Sequence, residues 1–153
     1  MLLPDKRIVN FIRKHHVLTI ATSSDNFPYC ANCFYIYLEN ENLFAFTSDY
    51  STRHITDLKD NKNVAGTVFL ETGIIGKIQG IQFTGIISEP TGEVLNKIKF
   101  NYLKRFPVAV LMETIFWVVE PTYIKMTDNK FGIGKKLIWE KGIDSKMTDP
   151  GKH

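Results

Sequence analysis

The sequence predicts a mainly β domain: a small antiparallel barrel of six or seven strands with helices covering its openings. Three observations support this. Short β-branched and aromatic runs recur along the chain, as in VLTIAT, FYIYL, LFAF and IQFTGII. The intervals between them carry turn residues rather than long helical periods. Helical spacing is confined to the start, a short piece after the third strand and a longer one after the fifth. A mostly meander-connected sheet of this size buries its edges most economically by closing on itself, with a β-sandwich as the competing architecture.

The elements follow in order. Residues 4–15 read as a helix, with Pro4 at its first turn and Ile8, Phe11 and Ile12 on one face. His15 and His16 end it, where a cation is mildly favoured, and no further ligands complete a metal site around them. Residues 16–23 form the first strand, 24–28 a turn, 30–38 the second strand and 43–48 the third. Residues 52–60 read as a short helix with Ile55 and Leu58 inward, and 64–71 as the fourth strand. The fifth, 77–89, is long and carries Gly80 and Gly85, which mark bends or close approaches. Residues 93–106 form a helix, 108–112 a helical turn, 115–119 and 123–127 strands parted by Glu120-Pro121, and 136–140 a last short strand. One domain spans residues 1–143, and 144–153 is a polar, flexible tail.

Composition bounds the function. The 153 residues are 44% apolar and 23% charged, the balance of a folded globular chain. A net charge of +3 without a long basic run points away from nucleic acid. The start, MLLPDKRIVN, is interrupted by charges before any apolar region develops, and no apolar run has the length of a membrane span, so a cytoplasmic location is expected. Cys30 and Cys33 form C-A-N-C within a strand. A spacing of three puts them on opposite faces with Cα atoms ~10 Å apart, beyond disulfide reach.

The chemistry concentrates in residues 43–70. An apolar strand runs into Thr47, Ser48, Ser51, Thr52, Arg53 and His54, then into a short helix and a strand beginning Val64-Ala65. Hydroxyls, unpaired backbone N–H groups and a guanidinium are what a phosphate requires. An ordinary helix cap is the alternative. The strand-cap-helix-strand context favours phosphate.

In this order the segments resemble the FMN-binding split-barrel superfamily, pyridoxamine 5′-phosphate oxidase-like, over roughly residues 5–140. The matching residues are Thr47-Ser48, Thr52-Arg53-His54, Leu58, Asn61 and Val64-Ala65. The strings ANCFYIY, STRH, VAGTV, GIQFTG, KRFPVA and DNKFGIGKKLIW are similar to the YhbP-like bacterial branch. The resemblance implies a Greek-key split β-barrel and a homodimer with FMN in a groove between subunits. Arg53 and Thr52 would hold the phosphate, Thr47 and Ser48 would lie near the ribityl chain or flavin edge, and residues 32–37 would flank the ring.

At most one of Gln79 and Gln82 could face the flavin, since they lie three apart in one strand. Lys135, in a Gly-rich basic turn, would reach a phosphate or a substrate carboxylate, or simply be solvated. Trp139 is a candidate ring contact and Trp117 a core or interface residue. Two departures stand out. Asn32 replaces a basic residue and His54 replaces a lysine, which argues against pyridoxamine oxidation itself. The implied activity is an FMN-dependent oxidoreductase with a nicotinamide nucleotide as electron donor, no catalytic residue being assignable. The rivals are a non-catalytic flavin-binding or sensing module, a barrel for haem or a deazaflavin, and a scaffold without cofactor.

Overall fold

Asp5 starts the first helix, α1 (Lys6–Lys14), by accepting the Arg7 N–H at 2.8 Å. Its apolar stripe, Ile8, Val9, Phe11 and Ile12, is buried. In a computed structural model describing residues 2–113 and 115–149, eight strands follow. β1 (Val17–Ser24) turns through Asp25 and Asn26, both at positive φ, into β2 (Phe27–Leu38). Such a two-residue turn matches the twist of the paired strands. β2 thus begins at Phe27, earlier than residue 30. Its first residues have β1 as a neighbour but not β3, an edge position where Pro28 is tolerated.

β3 (Leu43–Thr47) leads into α2 (Arg53–Thr56) and a 3-10 turn (Asp57–Lys59). β4 (Asn63–Phe69), β5 (Gln79–Ser88), α3 (Gly92–Arg105), a 3-10 turn (Pro107–Leu111), β6 (Phe116–Asp128), β7 (Lys136–Glu140) and β8 (Ile143–Thr148) complete the described chain. No described helix is long and apolar enough to cross a membrane.

The sheet is antiparallel, in the order β3-β2-β1-β4-β5-β6-β7-β8, and a further β3–β6 pairing joins β1 to β6 into a ring. Strands β1 to β4 lie in the spatial order 4-1-2-3 of a Greek key. The ring splits along β6. One side of β6 pairs with β5, while on the other Phe116 to Val119 meet β3 and Tyr123 to Thr127 meet β7. The architecture is split-barrel-like.

Two expectations need correction. Residues 115–119 and 123–127 belong to one strand, β6, and with β8 added the described chain has eight strands rather than six or seven. The register steps from Gly85↔Pro121 to Thr84↔Tyr123, leaving Thr122 as an extra residue in a bulge. Core-facing positions therefore change parity, from Trp117 and Val119 to Ile124 and Met126, and the period of two breaks mid-strand. The predicted loose tail is the second correction. β8 pairs with β7, and Ser145 accepts the Asp5 N–H at 3.0 Å. Residues 150–153 lie outside the described residues.

The ring interior is aromatic: Tyr35, Phe44, Phe46 and Phe83 are fully buried, and Phe44 stacks on Phe83 at 4.6 Å. Burying each such side chain contributes about 1.5–3 kcal/mol. α1 closes the end where β1 begins, and the Tyr35 hydroxyl donates to the Ile12 carbonyl. A second layer forms outside, where Ile98 and Tyr102 of α3 cover Ile36, Leu38, Ala45, Phe116 and Val118. α2 and its 3-10 turn cover the opposite end, and Thr22 and Ser24 of β1 donate to Asp57 and Asp60 there.

Candidate functional site

The chain leaves β3 through a turn held by Asp49, whose carboxylate accepts the Ser51 N–H at 2.8 Å and the Ser51 hydroxyl at 2.7 Å. The Thr52 hydroxyl donates to the Asp49 carbonyl at 2.8 Å and lies 3.0 Å from Ser48 Oγ. Ser48 Oγ is also 2.7 Å from His54 Nε2, and Trp117 Nε1 donates to the Ser48 carbonyl. The sequence cluster is thus a connected network. The helix it opens has only four residues before the 3-10 turn, so the expected helix over residues 52–60 is one α-turn and a tighter turn. Its dipole is correspondingly small.

Arg53 is exposed, and its guanidinium lies over the Tyr29 ring, 4.6 Å from the centroid. Among the described residues it makes no ion pair. His54 is buried, and burial lowers its pKa, with Asp57 opposing the effect. A neutral His54 does not replace the missing lysine. Asp49, absent from the sequence reading, adds a negative charge, and the Ser51 hydrogen bonds lower its pKa further. The signal for Asp49 was there: Asp two residues before Ser is a common turn-forming pattern. The cap therefore carries one permanent cation and one carboxylate.

Asn32 and Gln82 lie elsewhere, on the outer face of the ring. Register aligns Asn32, Thr19, Thr67, Gln82 and Lys125 in one row across β2, β1, β4, β5 and β6. The next row is Cys30, Ala21, Ala65, Thr84 and Tyr123. The small side chains among them, Cys30, Ala21, Ala65 and Thr84, leave a shallow cavity of about 320 Å³. The Asn32 carboxamide accepts the Thr19 hydroxyl at 2.6 Å, and Gln82 stands three strand spacings away, ~14 Å.

Gln79 instead donates to Asp128 at 2.7 Å. Of residues 32–37, Asn32 and Phe34 face outward, whereas Cys33, Tyr35 and Tyr37 are core. Thr47 Oγ1 is 3.3 Å from the Tyr102 hydroxyl, beneath α3. Cys30 is exposed and Cys33 buried, with the Cys33 thiol pushed up to about 11 by desolvation.

Two further candidates do not join the cap. Trp139 is 1% exposed and donates its indole N–H to the Leu2 carbonyl, so it is core and cannot be a ring contact. Lys135 sits in the turn before β7, at the end of β6 where Lys136 pairs with Thr127. That end is roughly 30 Å along β6 from Trp117 and the cap. Within one chain, Lys135 and Arg53 cannot share a ligand's phosphate. Among the described residues no His, Cys, Asp or Glu cluster could hold a metal.

No family model matches the chain. The UPF0306 protein of Photorhabdus laumondii is 37% identical over 134 residues, covering 88% of this chain and 94% of the relative. That of Klebsiella pneumoniae is 38% identical over 141 residues, covering 92% and 96%. Solved structures of similar fold include the haem storage protein HutZ of Vibrio cholerae, with TM-score 0.64 and 15% identity over 79% of this chain and 91% of that one. A haem-binding protein of Mycobacterium smegmatis has TM-score 0.69 and 13% identity, over 97% of this chain and 59% of that one. A pyridoxamine 5′-phosphate oxidase-related, FMN-binding protein of Nostoc punctiforme has TM-score 0.63 and 10% identity, over 94% and 91%. The extent of the sequence matches, nearly end to end in both directions, makes this chain a member of the UPF0306 family.

Proposed function

We propose that this chain binds FMN through the cap after β3, as a homodimer whose second copy covers the outer sheet face. The observation that carries the reading is Arg53: a permanent, exposed cation without a carboxylate partner among the described residues, held over Tyr29 beside the Ser48-Thr52-His54 network. The same split-barrel-like fold in a protein described as FMN-binding supports it. Arg53 and Thr52 would hold the phosphate, with Ser51 and His54 as neutral neighbours and Thr47 and Ser48 toward the ribityl chain. Exposed Val17, Phe34 and Phe69 give the second copy apolar surface to bury.

Lys135 would contribute only from the partner subunit, and Gln82, unlike Gln79, makes no side-chain hydrogen bond among the described residues, which leaves its amide to meet the ring. When bound, the flavin supplies hydride and electron transfer. The protein's part is to anchor and orient it and to exclude water, with a nicotinamide nucleotide as donor. Anaerobic bleaching of the flavin by NADH or NADPH is the expected result for a reductase; no bleaching with either leaves a binding or sensing module.

Titrating apo protein with FMN tests the site. Arg53→Ala should weaken binding by about 1.5–3 kcal/mol, roughly ten- to hundredfold. Unchanged affinity removes Arg53 from the site. A second reading, haem on the same face, draws on the haem proteins that share the fold. The visible spectrum of the purified protein separates the two.

A further inference from the structure

We propose that a second cleft, at the α2 end of the ring, binds a small organic anion: a compact apolar or aromatic body carrying one carboxylate. The cleft lies between the α2 segment and the ends of β5 and β6, with a volume of about 490 Å³. Ligand clefts commonly fall between roughly 300 and 1,000 Å³. Its floor is core: Ile55, Leu58, Ile87 and Trp117 are each no more than 7% exposed, yet all four line the opening. An apolar floor at the bottom of a water-filled cleft gains free energy when an apolar body displaces that water.

The rim selects charge. Lys59 and Lys62 line it, both exposed, and neither forms an ion pair among the described residues. Glu89 also lines the rim, but the Tyr50 hydroxyl donates to it at 3.1 Å. The Tyr50 ring stands edge-on to Trp117 at 5.8 Å, forming an aromatic side wall. Two ammonium groups against one already hydrogen-bonded carboxylate leave the mouth with a net positive charge.

The cleft is distinct from the phosphate-directed cap. Arg53 lies on the β2 flank of α2, over Tyr29, whereas the cleft opens on the β5–β6 flank. Trp117 touches both regions, because its ring lines the cleft and its N–H holds the Ser48 carbonyl.

The two tryptophans supply the test. In full-length protein labelled with fluorotryptophan, fluorine NMR during titration with naphthoate should move the Trp117 resonance and leave that of buried Trp139 in place. Naphthoate should bind at least about threefold more tightly than neutral naphthamide, as expected for contacts with exposed ammonium groups. Lys59→Gln/Lys62→Gln should abolish that preference while naphthamide binding persists. An unmoved Trp117 resonance, equal affinities for acid and amide, or an undiminished preference in the double variant would each overturn the proposal.

Discussion

Before its bulge, β6 pairs with β3 and sets Trp117 against the cap, its indole holding the Ser48 carbonyl. After the bulge, the same strand pairs with β7, whose Trp139 is sealed in the core. Two tryptophans on one continuous sheet thus have different fates: one joins the core to a cleft and a polar network, the other is sealed in the core with its N–H on the Leu2 carbonyl. The difference comes from Thr122, which lets one half of β6 complete the ring and the other carry the β7–β8 extension. The cap and the second cleft both lie at the ring-closing half.

The most damaging way to break this contrast is to delete Thr122. Removing one residue leaves an unbroken period of two that still turns Trp117, Val119, Ile124 and Met126 inward, so what the deletion removes is the bulge's bend and added twist where β6 parts from β3 and meets β7. The deletion should lower the unfolding temperature seen by circular dichroism further than either substitution below. A variant that unfolds at the wild-type temperature would show that the split does not need the bulge's bend. Next comes Gly85→Ala. A Cβ there would meet the Glu120 carbonyl oxygen at 2.5 Å and Val119 Cγ1 at 2.8 Å, on the strand that must bend. Such crowding costs about 1–3 kcal/mol in urea unfolding. Gly73→Ala, with nothing within 4 Å, is the control and should change little.

The same contrast explains what could be read from the sequence. The meander, the cap string and α3 were legible because each keeps a single period or a local motif. β6 was not, since its bulge splits one strand into two apparent ones. β8 was missed because its residues are exposed or half-buried on both faces and show no alternation. Trp139 was misjudged by its neighbours, Gly132 to Lys136, although KLIWE alternates and puts Leu137 and Trp139 on the buried side. Within the cap, residue types were readable but their state was not. His54 is neutral because tertiary packing buries it, and Arg53 is poised by Tyr29, a residue 24 positions earlier. Sequence proximity alone contains neither fact.

A smaller effect tests the cap's electrostatics directly. Burial depresses the folded-state pKa of His54, and that of His15 is depressed too, by burial and by nearby Lys14 and His16. The unfolded chain therefore binds protons more readily than the folded one below the ordinary histidine value of about 6.5. The associated stability is complete above that pH and is lost as pH falls through the folded values. Urea midpoints should drop between neutral and mildly acidic pH, and His54→Gln should flatten part of that drop, leaving the His15 share. If His54 instead served the cap as a cation, its folded pKa would be raised and acidification over the same range would stabilise the protein. FMN affinity offers an independent check. A protonated His54 would tighten phosphate binding as pH falls toward 6, whereas a histidine kept neutral by burial and by its bond to Ser48 leaves Arg53 alone to attract the phosphate.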